Sequence, residues 1–224
     1  GPPLSGVGGA PPPPPPPAMK SLLPLLLILT ALASPAAPVS LFDGRTFTGW
    51  EGDTNKTFRL ADGAIVGGSL KETVPRNEFL ATTRRYTNFV LRLEFKLLGT
   101  EGFVNSGVQV RSEGVPDPQE MVGYKVDIGD PEWWGCIYDE SRRNKVLAKS
   151  DMAEVNKVLK RGDWNHYEIR CDGRRVLVKL NGLQTVDYTE PDESLVQSGV
   201  IGLQIHGGGK GEIWFRNLTL EELP

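Results

Sequence analysis

The stretch Asn88 to Leu98, NFVLRLEFKLL, constrains the fold more than any other. Phe89, Leu91, Leu93, Phe95 and Leu97 fall on one side of an extended chain. Val90, Arg92, Glu94, Lys96 and Leu98 fall on the other. Period-two alternation of this kind needs a strand with one face in a core and one polar face. Such a strand is unstable alone, and the rest of the chain supplies partners. Thr57 to Leu60 and Gly63 to Val66 flank an Asp62-Gly63 turn. Arg175 to Leu180 and Leu183 to Tyr188 flank Asn181-Gly182, a strong hairpin dipeptide. Glu78 to Thr82, Trp164 to Cys171, Gly199 to His206 and Glu212 to Leu220 read as further strands. Roughly a dozen strands at short spacing predict an all-β sandwich or barrel.

Only Asp151 to Lys160 carries helical spacing, with Asp151 as N-cap, Val155, Val158 and Leu159 as the apolar set and Gly162 as the stop. No βαβ alternation, P-loop or dinucleotide fingerprint is present. The 28 acidic and 25 basic side chains give a net charge of −3, which argues against nucleic acid as a partner.

The first residues are of a different kind. Gly1 to Ala18 is a Pro-rich low-complexity extension with no apolar periodicity. Met19-Lys20 then opens a Leu-rich run that ends in small residues, so residues 19–36 have the anatomy of a signal peptide. Met19 reads as the start of the protein and Gly1 to Ala18 as a translated upstream stretch. The run is shorter than the roughly 20 apolar residues of a spanning helix. A secreted or periplasmic protein with no stable membrane insertion is the expectation. Cys136 and Cys171 would then meet oxidising conditions, either as one disulfide or as two buried thiols. No Cys/His metal spacing is present.

The stretch Asn105 to Asp139 holds most of the chemistry. Ser106, Val108 and Val110 alternate with Gly107, Gln109 and Arg111, and Tyr124, Val126 and Ile128 alternate with Lys125, Asp127 and Gly129. Trp133, Trp134 and Tyr138 follow. Polar groups that fix hydroxyls, next to aromatic faces that stack on rings, furnish a site for an oligosaccharide or glycoside.

Several motifs in order carry a family resemblance. They are Leu41-Phe42-Asp43-Gly44 with Thr48-Gly49-Trp50, Asp62 to Gly68, Phe89 to Phe95, Asn105-Ser106-Gly107-Val108, Gly123 to Ile128, Trp164-Asn165-His166-Tyr167, Asn181-Gly182, Gly202 to Gly207, and Phe215 to Leu218. Over about Val39 to Leu223 the chain resembles the 3-keto-disaccharide hydrolase domain family. The resemblance implies a concanavalin A-like jelly roll of two antiparallel sheets, one of them concave and holding the site, with one short helix. It also implies secretion and cleavage of glycosides oxidised at C3, by hydrolysis or by elimination across C1–C2; the same fold also hosts non-catalytic carbohydrate-binding modules. Many members carry Glu and Gln where this chain has Lys125 and Asp127, so its site residues need not match theirs one for one.

Cleavage beside a C3 ketone needs a base for the C2 proton, an acid for the leaving oxygen and a group to hold the C3 oxygen. His206 and Asp127 are the candidates for proton transfer and Arg111 for the keto oxygen. Arg111 would alternatively neutralise Asp127 in a buried salt bridge. Gln109, Tyr124, Lys125 and Gln204 are further binding candidates, with Trp133, Trp134 and Tyr138 as stacking surfaces. Glu140, Arg142 and Arg143 form a charged loop that is either solvated or part of the site. His166 reads as structural. A divalent metal ion on Asp127, Glu140 and His206 would polarise the substrate equally well.

Overall fold

The alternation at residues 88–98 becomes the central strand of a two-sheet sandwich. The structure, a computed structural model, describes residues 1, 6, 8–14, 37–115 and 120–224. The chain divides into two units, Gly1–Leu32 and Ala33–Pro224. The described residues of the first carry no helix or strand. Residues 19–36, read above as a signal peptide, lie outside the described residues. Among the described residues, no helix is long and apolar enough to cross a membrane.

The strands are β1 (Val39–Ser40), β2 (Trp50–Gly52), β3 (Phe58–Ala61), β4 (Ala64–Ser69), β5 (Glu78–Thr82), β6 (Phe89–Gly102), β7 (Asn105–Val115) and β8 (Glu120–Gly129). They continue as β9 (Ile137–Glu140), β10 (Val146–Ala148), β11 (Asn165–Asp172), β12 (Arg175–Leu180), β13 (Leu183–Thr189), β14 (Val200–Ile205) and β15 (Gly209–Glu222). One sheet runs β13-β12-β11-β6-β15-β4-β3, with β1 beside β15. The other runs β10-β9-β8-β7-β14-β5-β2. Each of the strand pairings is antiparallel. This is the expected jelly-roll sandwich.

The core lies between the sheets. Phe89, Leu91, Leu93 and Phe95 of β6 are fully buried and meet Val108, Val110, Val126, Ile128 and Leu203 from the opposite sheet. The helix α1 covers Met152–Val158, two residues short of the expected end at Lys160, because Leu159 is already extended. Asp151 caps it as expected, accepting from the Ala153 N–H.

One correction follows from register. Opposite β8, β7 carries a bulge: pairing steps from Val110↔Tyr124 to Glu113↔Val122, and Arg111 takes a left-handed φ of 50°. Gly123, with φ 145°, makes room for it, since a Cβ there would sit 2.4 Å from Ser112 Oγ. The bulge takes Arg111 out of the alternation of Gly107 and Gln109. Its guanidinium donates to the carbonyls of Thr87 and Gly173 at 2.6 Å each, and to Gln197 and Asn88. It makes no salt bridge with Asp127. Of the two alternatives for the cysteines, the structure has both free and buried. Cys171 is on β11 in the eight-stranded sheet, while Cys136 precedes β9 of the other, so the alternative of two thiols holds.

Candidate active site

The outward face of the seven-stranded sheet is polar, yet it is buried. Antiparallel partners share a face, so Lys125 falls opposite Gln109 and Tyr138, while Asp127 falls opposite Gly107, which in turn faces Gln204. Lys125, Asp127 and Gln204 are 4%, 1% and 0% exposed. Charged groups are buried at this level only when they are paired and hydrogen-bonded, and these are. Lys125 Nζ lies 3.1 Å from Asp127 Oδ1 and 2.9 Å from Glu140 Oε2. It also donates to Gln204 Oε1 at 3.1 Å. Gln204 Nε2 reaches Glu140 Oε2 at 3.4 Å, and Asn105 Nδ2 donates to Asp127 Oδ1 at 3.3 Å.

Gly107 makes this geometry possible. The Lys125 stem crosses β7 where a side chain would otherwise stand: a Cβ on Gly107 would lie 2.6 Å from Lys125 Cγ. The ammonium can therefore reach from β8 to Gln204 on β14.

Above the cluster is a cavity of about 130 Å³ lined by Phe103, Asn105, Lys125, Asp127, Trp133, Tyr138, Glu140 and His206. A water molecule occupies about 30 Å³ of liquid, so this volume suits part of a sugar ring. The Trp133 and Tyr138 rings meet edge to face at 6.3 Å, and the Lys125 ammonium sits 5.5 Å from the Tyr138 centroid. Phe103, 40% exposed, packs edge-on to His206 at 4.7 Å.

His206 is held by its backbone N–H donating to the Asn105 carbonyl at 3.0 Å. Its Nδ1 lies 2.6 Å from the Gly207 carbonyl oxygen. A carbonyl only accepts, so Nδ1 carries the proton in the neutral ring and Nε2 keeps a free lone pair. Burial pushes the His206 pKa below its usual value; the Gly207 carbonyl opposes this and the nearby Lys125 charge reinforces it. Asp127 moves the other way. Burial raises its carboxyl to about 6, and the Lys125 ammonium and the Asn105 amide restrain the rise. Burial alone would lower Lys125, but Asp127 and Glu140 outweigh it and hold the ammonium charged.

The structure brings together His206, Asp127, Lys125, Glu140, Gln204, Trp133 and Tyr138. It leaves other candidates elsewhere. Arg111 binds carbonyls away from the cavity, as described. Tyr124 faces the core side, where its hydroxyl donates to Glu190 at 2.9 Å. Arg142 stacks on the Tyr124 ring at 4.7 Å and pairs with Asp139. Trp134 is 2% exposed, stacks on Phe95, and donates to Asp130. Gln109 shares the outer face but does not line the cavity, and its Oε1 accepts from Ser112. His166 is exposed on β11. Glu94 and Lys96 lie on the other sheet, where Glu94 pairs with Arg216 and Lys96 lies over Trp164 and Trp214.

The alternative of a divalent ion does not fit this donor set. The Lys125 ammonium already bridges the two carboxylates that were to hold the ion. Among the described residues, no group of three or more His, Cys, Asp or Glu side chains is placed to bind a metal.

Two cavity residues escaped the sequence reading, Asn105 and Phe103. Asn105 had a usable signal: it shares a strand face with Gly107 two residues on. Phe103 sits in a loop between long strands and carried none.

Residues 37–221 match the model of the 3-keto-alpha-glucoside-1,2-lyase-like domain. No curated protein matches the sequence. Among solved structures, a candidate glycosyl hydrolase from Parabacteroides distasonis is similar with a TM-score of 0.64 at 21% identity, covering 84% of this chain and 94% of that one. The carbohydrate-binding module CBM66 from Bacillus subtilis gives 0.60 at 16% identity, covering 78% and 96%. The Bacillus licheniformis β-glucanase gives 0.53 at 8% identity, covering 86% and 100%. At these identities the likeness is one of fold, the jelly roll.

Proposed function

Because this chain belongs to the 3-keto-alpha-glucoside-1,2-lyase-like domain family, we propose that it cleaves glycosides oxidised at C3, beginning with removal of the C2 proton. The observation that carries the reading is the cavity in which a free imidazole nitrogen, a carboxyl held near neutral pH and a buried ammonium converge.

His206 Nε2 takes the proton from C2, which the neighbouring ketone acidifies. The C2–H electron pair moves into a C2–C3 double bond and the C3 oxygen becomes an enolate. Lys125 stabilises that oxygen, the task first expected of Arg111. The enolate electrons return, the C1–C2 double bond forms and the C1–O bond breaks. Asp127, with its pKa of about 6, gives a proton to the departing oxygen. Elimination stops there. Hydrolysis follows when water adds its oxygen to C1 and C2 regains a proton. Glu140 and Gln204 hold Lys125 in place, while Trp133 and Tyr138 pack against the sugar.

The test is incubation with a 3-keto-disaccharide and with the same unoxidised sugar. Consumption of the keto-sugar alone supports the reading. Binding of either sugar without turnover makes the protein a carbohydrate-binding module instead. Export from the cytoplasm, through cleavage within residues 19–36, is part of the proposal; N-terminal sequencing of the protein from its host checks it.

A further inference from the structure

Asn105 has one half of its amide engaged and the other half without a partner. It is 1% exposed, and Nδ2 donates to Asp127 Oδ1 at 3.3 Å. Asp127 Oδ1 also accepts from the Lys125 ammonium at 3.1 Å, so it is an acceptor here and this contact fixes which way the amide faces. Oδ1 is thereby left with no hydrogen-bond partner among the described residues. A buried acceptor left unpaired is destabilising. Gln109 Nε2 is also unpaired, but Gln109 does not line the cavity, whereas Asn105 does.

We infer that Asn105 is a substrate-binding residue whose Oδ1 accepts a hydrogen bond from a hydroxyl of the sugar ring seated in the cavity. The inference rests on the proposed reaction and adds a specificity element to it. The Lys125 ammonium and the protonated Asp127 carboxyl, both in the cavity wall, favour electron-rich oxygens on the substrate. Asn105 Oδ1 is an unpaired neutral acceptor beside them and selects for a donor. A ring with a hydroxyl at the matching carbon satisfies it, and a ring lacking that hydroxyl leaves it buried and unpaired. Sites built this way discriminate strongly against the analogue that lacks the group. The backbone carbonyl of Asn105 separately holds the His206 N–H at 3.0 Å, so a side-chain substitution leaves that contact in place.

The experiment compares wild type and Asn105→Ala on a 3-keto-disaccharide and on its 2-, 4- and 6-deoxy analogues in the oxidised ring. One analogue should lose about ten- to a hundredfold in kcat/KM with wild type. That loss should shrink below about threefold in the variant, because the partner of the missing hydroxyl is gone. If Asn105 acts only by orienting Asp127, every analogue will show the same relative loss in both proteins, and the inference is overturned. Asn105→Ser, which keeps a shorter donor towards Asp127, serves as second variant should Asn105→Ala not fold. If wild type turns over no 3-keto-glycoside, the proposed reaction fails by itself. The same comparison is then read from Kd for the unoxidised disaccharide and its deoxy forms. Coupling there sustains the Asn105 contact; no coupling, or no binding, ends it.

Discussion

Lys125 and Asp127 stand two residues apart on one strand, face the same way, and bring an ammonium within 3.1 Å of a carboxylate that is 1% exposed. Neither charge would persist there alone. The pair therefore supplies the site with charge and with a dry setting in which that charge acts strongly.

Lys125→Met should strip the cavity of its cation and leave Asp127 and Glu140 buried side by side. Turnover of a 3-keto-glycoside should fall by at least about a hundredfold, since a preorganised charge at the developing enolate is lost. Stability should fall by roughly 3–5 kcal/mol, the usual effect of breaking one side of a buried ion pair. Steady-state kinetics well below the unfolding midpoint, with urea unfolding in parallel, reads both.

The rate should depend on pH in a bell shape. His206 must be neutral to act as base, and its pKa is lowered, so the rising limb should lie below the usual histidine value of about 6.5. Asp127 must be protonated to act as acid, so the falling limb should be centred at about 6. Asp127→Asn should remove the falling limb from the kcat/KM profile. A limb that persists in the variant would assign the acid to another group.

Glu190 should govern acid stability. Burial acts to raise its pKa, but Arg143 and hydrogen bonds from the Asp192 N–H and the Tyr124 and Tyr188 hydroxyls prevail and hold it at about 2. A depressed carboxyl stabilises the fold above its unfolded value, near 4.5, and loses that contribution as pH falls towards 2. Glu190→Gln should therefore lose about 3 kcal/mol at neutral pH. The gap from wild type should close as pH falls through this window, as read by urea unfolding at a series of pH values.

Arg111→Ala should separate structure from catalysis. The guanidinium ties β7 to Thr87, Asn88, Gly173 and Gln197, so roughly 3 kcal/mol of stability should go with it. At a permissive temperature kcat/KM should stay within about twofold. A large loss of kcat in the folded variant would return Arg111 to the active site.

Much of this molecule is legible as period-two alternation. Phe89 to Leu97 declare their inner face, and Glu78–Thr82 and Arg175–Leu180 coincide with their expected bounds. Alternation fails where one residue breaks the count. The bulge at Arg111 depends on pairing with β8 and on the absence of a side chain at Gly123, neither visible within β7 itself. Trp133 and Trp134 show the same limit on a smaller scale: adjacent and alike in type, they part into cavity wall and core because of where the loop turns. Within the sequence Lys125 is one of several further binding candidates, and nothing local singles it out. Its central place follows from the missing side chain at Gly107, a cross-strand relationship that needs the register.

The two thiols are both buried, Cys171 on β11 and Cys136 just before β9. Burial lifts Cys136 well above its ordinary value, with Asp127 adding to the effect, and lifts Cys171 to about 12. Thiols held in that form are poor nucleophiles and poor partners in exchange. The sandwich thus has no covalent staple to gain or lose, and its architecture is indifferent to the redox poise of its surroundings. Material made in a reducing bacterial cytosol and material recovered from an oxidising compartment should be interchangeable for every measurement above.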